Sequence, residues 1–156
     1  MTLTRVLAPV SGRAIALSDV PDPVFSQGMV GYGAAVEPPQ SVVDAVAPVS
    51  GKLLKLMPHA YIIMTADNVG ILVHLGLDTV QLKGAGFTPH ATQGDDVTAG
   101  QVIITYDVPT VVAAGMSPIV PVVVMDEREA DNVSVVDAVL TNADIDSGAA
   151  LFGATK

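Results

Sequence analysis

The stretch HAYIIMTADNVGILVHLG, His59 to Gly76, decides how this chain is read. Two apolar, strand-like runs flank Asp67-Asn68, a pair suited to a tight turn, so the economical structure is a β-hairpin. With those two residues as the loop, Ala66 faces Val69, His74 faces Tyr61 and His59 faces Gly76. The two histidines then become diagonal neighbours on one face, roughly 7–8 Å apart at the backbone. A loop longer or shorter by one residue would separate them, because side chains alternate between faces. Along Val69 to Leu77, residues Val69, Ile71, Val73, Leu75 and Leu77 point one way, and Gly70, Leu72, His74 and Gly76 the other. Glycines beside His74 on its own face leave room for a ligand or another backbone to approach. A structural histidine satisfied within the core and a chemically active imidazole both remain open readings.

Outward from this hairpin, LAPVSGRAIAL (Leu7 to Leu17) is echoed by VAPVSGKLLKL (Val46 to Leu56), an offset of 39 residues between Leu7 and Val46. Each copy has an Ala-Pro-Val-Ser-Gly turn, a basic residue and an apolar strand. One turn-strand unit is therefore used twice within an all-β domain. Val and Ile dominate elsewhere, and 14 glycines and 11 prolines punctuate the chain with the texture of a compact antiparallel β-sandwich or barrel-like fold. The spacing predicts only short helical turns, over Val108 to Gly115 and Asp126 to Val133, the latter with acidic residues at its start. GDDVTAGQVIITYD, Gly94 to Asp107, reads as a turn into a strand. No linker-like segment divides the chain, so residues 1–156 are expected to form a single domain.

Half of the 156 residues are apolar, 15% are charged, and the formal charge is −9. That charge repels phosphate backbones and anionic lipid, which argues against a nucleic-acid or membrane-surface role and favours a basic protein partner. No apolar run reaches the roughly 18 residues of a membrane span, and no basic segment leads into a continuous apolar one as in a secretion signal. There are no cysteines, which removes disulfides, thiol catalysis and thiolate zinc sites. A cytoplasmic location is the expectation.

The run HLGLDTVQLKGAGF, with His59 fifteen residues before His74, resembles the enzyme IIA component of the glucose family in the phosphoenolpyruvate-dependent sugar phosphotransferase system. APVSGRAIALSDVPDPVF, MVGYGAAVEP, VAPVSGKLLKL, GDDVTAGQVIITYD and SPIVPVVVMD follow in that family's order, so the resemblance covers most of the chain. It implies a phosphocarrier with a compact antiparallel β-sandwich fold. The phosphocarrier protein HPr would donate a phosphoryl group to His74, which would pass it to a cysteine of an enzyme IIB domain, with His59 in support. The chemistry is sound: a neutral imidazole is a nucleophile near pH 7, and a second imidazole can donate to phosphoryl oxygens. No metal or cofactor is needed, since phosphoryl transfer rests mainly on alignment and charge stabilisation. An apolar rim would keep water from the phosphohistidine, with Phe25 and Val30 as its candidates.

By the same resemblance Asp22 and Asp78 receive basic residues of HPr, and Gly76 lets backbone approach the phosphate. Each has a plainer alternative: Asp22 caps a turn, Asp78 starts one, and Gly76 serves tight packing. The chain departs from the family at Met57, where relatives carry a threonine, and Thr79 is a doubtful replacement for that hydroxyl. Leu75 stands where phenylalanine is common. His90 matches no motif and reads as a solvated surface residue.

Rival readings fare less well. A biotinyl or lipoyl carrier shares the APVSG-like turns but needs a modified lysine in a tight hairpin, and no lysine here has that context. A zinc peptidase would want a further ligand after His74, and Gly76 occupies that place. Zinc on His59 and His74, or a purely regulatory docking role, is the alternative carried forward. Lacking a membrane span and a cysteine, the chain is expected to work as a free-standing IIA unit, with the permease and the IIB acceptor elsewhere. Sugar specificity is not written in this sequence.

Overall fold

A computed structural model describes residues 3–155. Its strands are β1 (Leu3–Leu7), β2 (Gly12–Ala16), β3 (Gly31–Glu37), β4 (Val42–Val46), β5 (Gly51–Met57), β6 (Ala60–Met64) and β7 (Gly70–His74). The second half adds β8 (Phe87–Pro89), β9 (Asp96–Val97), β10 (Val102–Asp107), β11 (Val120–Met125), β12 (Val133–Val135), β13 (Asp144–Ile145) and β14 (Ala150–Thr155). Three short helices, α1 (Pro23–Ser26), α2 (Val108–Ala113) and α3 (Asp137–Thr141), lie between them. Eight strands form one sheet in the order β13-β2-β3-β11-β7-β6-β5-β9, and β1-β14-β12 and β4-β10-β8 form two three-stranded sheets.

The ladders are antiparallel, and the two small sheets pack on one face of the large one, as expected for a sandwich. Their shared core unites Val6 and Phe152 with Ala45, Phe87 and Ile104, against Leu53, Ile63, Ile71, Val73 and Val122 of the large sheet. Alternation along β7 sends Ile71 and Val73 into this core and Leu72 to the opposite face, where a second apolar cluster forms. Polar atoms in the core are paired: the buried Tyr61 hydroxyl donates to the Val46 carbonyl at 2.7 Å, tying the large sheet to a small one.

The repeated Pro-Val-Ser-Gly turns stand in matching places. Leu7 N–H donates to the Pro48 carbonyl and Val46 N–H to the Pro9 carbonyl, both at 2.9 Å, so the two copies bind each other reciprocally. Each turn also holds an equivalent segment of the second half. Ser50 Oγ accepts from Ala99 N–H at 2.9 Å, and Ser11 Oγ accepts from Ser147 N–H at 2.8 Å. Gly12 and Gly51 are obligatory, because a Cβ there would meet the Glu37 or Met64 carbonyl oxygen at 2.1 or 2.2 Å. The duplication thus extends past the quoted motif, to DVTAGQVII and DIDSGAALF, whose divergence hides it in the sequence.

Two local expectations need correction. In the central hairpin Ala60 faces His74 and Tyr61 faces Val73, one residue away from the expected register. A two-residue type I′ loop needs positive φ at both central residues, and of the pair only Asn68 has it (φ 62°). Instead Thr65 closes a three-residue loop, its N–H donating to the Val69 carbonyl at 2.9 Å and its Oγ1 accepting from Val69 N–H at 3.1 Å. The helical turn expected from Asp126 to Val133 is confined to the second half of that stretch. Asp126 is left-handed (φ 62°), Glu129 is extended, and only a single 3₁₀ turn, Ala130–Asn132, forms before β12. The Glu127 carboxylate accepts from the N–H groups of Arg128 and Glu129, which competes with helix formation there. By contrast, the helical turn expected from Val108 is present as α2, capped by Asp107, whose side chain accepts from Thr110 N–H.

Candidate functional site

The register shift should have parted the two histidines, yet their ring centroids lie 5.1 Å apart in an edge arrangement at 71°. The reason is that His59 is not a strand residue. Met57 pairs with Ala60, so Pro58 and His59 form the two-residue turn between β5 and β6, and the alternation rule does not fix where His59 points. Its carbonyl accepts from Leu75 N–H at 2.7 Å, which docks the turn against the end of β7.

His74 closes β7 and is oriented by the turn that follows. Its Nδ1 lies 2.5 Å from the Gly76 carbonyl oxygen. A carbonyl only accepts, so Nδ1 carries the proton and the lone pair is left on Nε2. Gly76 adopts φ 84°, and a Cβ there would meet Thr79 Cγ2 at 2.6 Å and the Ser117 carbonyl and Tyr106 hydroxyl at 3.1 Å. Its own N–H donates to the Ile119 carbonyl at 3.1 Å. Tight packing and the aim of its carbonyl are therefore what this glycine contributes in the folded chain.

Phe25 is buried and its ring lies 5.4 Å from that of His74, tilted by 58°. It is presented by α1, whose N-cap is Asp22: the Asp22 Oδ1 accepts from Val24 N–H at 2.9 Å, with Pro23 beginning the helix. Asp22 thus does cap a turn, and its carboxylate also acts on His74. Asp78 is exposed and left-handed (φ 61°), makes no side-chain capping bond, and leads into a 3₁₀ turn, Thr79–Leu82. Val30 packs half-buried in the same outer cluster as Phe25.

Burial lowers the pKa of both histidines. For His59 the field of His74 adds to that lowering. For His74 the Gly76 carbonyl, Asp22 and Asp78 oppose it without overcoming it. Both rings are consequently neutral at pH 7, and the groups around His74 favour positive charge on that ring whenever a reaction places it there.

Several contributors carried no sequence signal. Ser117 and Ile119 supply the carbonyls that hold Leu77 and Gly76, and the buried Tyr106 hydroxyl donates to Pro118 at 2.9 Å behind them. Leu17, Val20, Leu72, Leu77 and Ile119 complete the apolar platform around the rings. Thr79 is fully buried, and its hydroxyl donates to the Leu75 carbonyl at 2.8 Å rather than to an imidazole. Met57 packs against the outer cluster instead. His90 is exposed as expected, but its Nε2 lies 2.6 Å from Thr105 Oγ1, which donates to Asp44 at 2.8 Å. Among the described residues no three His, Cys, Asp or Glu side chains converge as a metal site.

The β-sandwich thus presents one oriented, neutral imidazole beside a second, next to an apolar cluster, with a nitrogen lone pair left unbonded on His74. Residues 4–130 match the family described as "phosphoenolpyruvate-dependent sugar phosphotransferase system, EIIA 1", and the chain belongs to that family. It is 41% identical over 137 residues to the glucose-specific EIIA component of Oceanobacillus iheyensis, covering 85% of this chain and 82% of that one. To the glucosamine-specific EIICBA component of Bacillus subtilis it is 39% identical, over 79% of this chain and 20% of that protein. The solved glucose permease IIA from Mycoplasma capricolum superposes with a TM-score of 0.85 at 35% identity, covering 98% and 96% of the two chains. The chain is thus a phosphotransferase component that takes a phosphoryl group from HPr and passes it to an enzyme IIB domain.

Proposed function

We propose that Nε2 of His74 is the atom that carries the phosphoryl group. The bond from His74 Nδ1 to the Gly76 carbonyl is the observation that supports this most, because it leaves Nε2 as the only free lone pair on that ring. The Nε2 lone pair attacks phosphorus of phosphorylated HPr, the donor's P–N bond breaks, and the donor ring keeps that electron pair. His74 is then a phosphoimidazolium whose charge is eased by the Gly76 carbonyl and the fields of Asp22 and Asp78. A cysteine thiolate of the IIB domain next attacks phosphorus, the Nε2–P bond breaks, and His74 returns to its neutral form. His59, neutral and in edge contact, donates an N–H to the phosphoryl oxygens during both transfers. Phe25, Val30 and the surrounding cluster exclude water, while Asp22 and Asp78 receive basic side chains of HPr.

Residues 1–156 serve as one phosphocarrier domain in this reading, since Val139, Ile145, Leu151 and Phe152, beyond the family match, belong to the same core as Val6 and Ile71. The site of action is the cytoplasm, where HPr supplies the phosphoryl group; no described helix is long and apolar enough to cross a membrane. The glucose-specific names of relatives make a glucose-type permease the first one to assay. Incubation with phosphoenolpyruvate, enzyme I and HPr should add one acid-labile phosphate to the chain and none to His74→Gln. Full labelling of His74→Gln would contradict the assignment.

A further inference from the structure

The groups that orient His74 are held from behind by a side chain that crosses the core. Tyr106 lies on β10, where it pairs with Val43 and Phe87, and its ring stacks on that of Phe87 at 5.5 Å and 17°. It is fully buried. From this small sheet its hydroxyl reaches the segment Ser117-Pro118-Ile119 and donates to the Pro118 carbonyl at 2.9 Å. The carbonyls on either side, those of Ser117 and Ile119, accept from Leu77 N–H at 2.9 Å and Gly76 N–H at 3.1 Å. Pro118 brings no N–H, and the Ile119 N–H reaches only Ser117 Oγ, at 3.4 Å. The Tyr106 hydroxyl is therefore the short bond on the central peptide of this segment.

The same hydroxyl bounds Gly76 directly. A Cβ at Gly76 would lie 3.1 Å from the Tyr106 oxygen, so the hydroxyl packs against the face of Gly76 from which a side chain is missing. Gly76 is thus held by its own N–H through Ile119, by the next N–H through Ser117, and by contact with Tyr106. Together these fix the direction of the carbonyl that faces His74 Nδ1. Burial raises the pKa of Tyr106, which keeps its hydroxyl protonated and available as a donor. Tyr61, equally buried, donates instead to the Val46 carbonyl.

We propose that Tyr106 is a positioning residue for phosphoryl transfer: through Pro118 and Gly76 its hydroxyl keeps the Gly76 carbonyl aimed at His74 Nδ1, and so keeps Nε2 as the free lone pair. This rests on His74 being the phosphoryl carrier, and the test separates the two. Removing the hydroxyl leaves the Pro118 carbonyl without its donor, and the peptide turns to relieve that loss, displacing the neighbouring carbonyls that hold residues 76 and 77.

Tyr106→Phe keeps the ring and its stack on Phe87, and Tyr61→Phe, which loses a buried hydroxyl bond of the same kind, is the control. Nitrogen shifts of the His74 ring are read in the unphosphorylated full chains, and phosphorylation is followed as a function of HPr concentration. In Tyr106→Phe the ring should move from a single Nε2-unprotonated tautomer toward a mixture. Its kcat should fall about fivefold, the size of one neutral hydrogen bond, with the KM for HPr unchanged because the hydroxyl is buried. Tyr61→Phe should lose a similar amount of thermal stability while its His74 shifts and kcat stay as they are. An unmoved tautomer or an unmoved kcat in Tyr106→Phe, a change confined to KM, or equal changes in both variants would each overturn the positioning role. Failure of HPr to label His74 in the unaltered chain would instead overturn the phosphocarrier reading, while the shifts, read without phosphate, would still decide whether Tyr106 sets the ring.

Discussion

Replacing Gly76 by alanine tests whether one carbonyl sets the chemistry of His74. The backbone there has φ 84°, which costs a non-glycine residue about 1–2 kcal/mol. The new methyl would meet Thr79 Cγ2 at 2.6 Å and two oxygens at 3.1 Å, and Thr79 is fully buried with its hydroxyl bonded to Leu75. Relief of that overlap adds about 1–2 kcal/mol, for a total of about 2–4 kcal/mol. In a protein of this size the melting temperature should fall by roughly 5–15 °C, with the urea m-value unchanged. Rotation of the 76 carbonyl also removes the acceptor from His74 Nδ1, so nitrogen chemical shifts should change from a single Nε2-unprotonated tautomer to a mixture, and phosphorylation by HPr should slow. A loss below about 1 kcal/mol together with an unaltered tautomer would refute the reasoning.

Other perturbations follow from the same geometry. His59→Gln keeps an N–H donor but cannot exchange protons, so it should still accept phosphate on His74 and transfer it to IIB more slowly; His74→Gln should abolish both steps, and normal transfer by both variants would make the pair structural. Because both histidine pKa values are lowered in the folded chain, the unfolded state binds more protons just below pH 6.5. Stability should be complete above that pH and fall on acidification, by up to about 1.4 kcal/mol per pH unit for each proton. The double His→Gln variant should show a flatter urea-midpoint profile between pH 7.5 and 5, and an identical profile would remove these histidines as the cause. Asp78→Asn should lower the pKa of His74 further, since that carboxylate raises it, and should weaken the salt dependence of phosphorylation by HPr; unmoved titration and salt curves would count against the electrostatic role.

The fold class was legible because alternation in β7, the repeated Pro-Val-Ser-Gly turns and the scarcity of helical spacing all point to antiparallel sheets. The register of the central hairpin was not. Asp67-Asn68 looks like a loop by itself, and only the side chain of Thr65 reveals a loop of three. His59 and His74 converge for a different reason from the one their spacing offers, namely that Pro58-His59 is itself a turn. The acidic run DERE resembles a helix start, but its Glu127 carboxylate captures nearby N–H groups, and Arg128 is held by the Met29 carbonyl at 3.2 Å and by Asp126 at 3.9 Å. The platform residues Leu17, Val20 and Ile119 were invisible because their meeting depends on residues 17–30 folding back over the sheet, a long-range event that no local pattern records.

The central claim is that one particular nitrogen carries the phosphoryl group, and phosphorus–nitrogen coupling in the isotopically labelled, phosphorylated chain reads it directly. The account predicts a single coupled ring, His74, with phosphorus on Nε2 and a protonated Nδ1 still bonded to Gly76. Phosphorus on Nδ1 of His74, or on either nitrogen of His59, would contradict it.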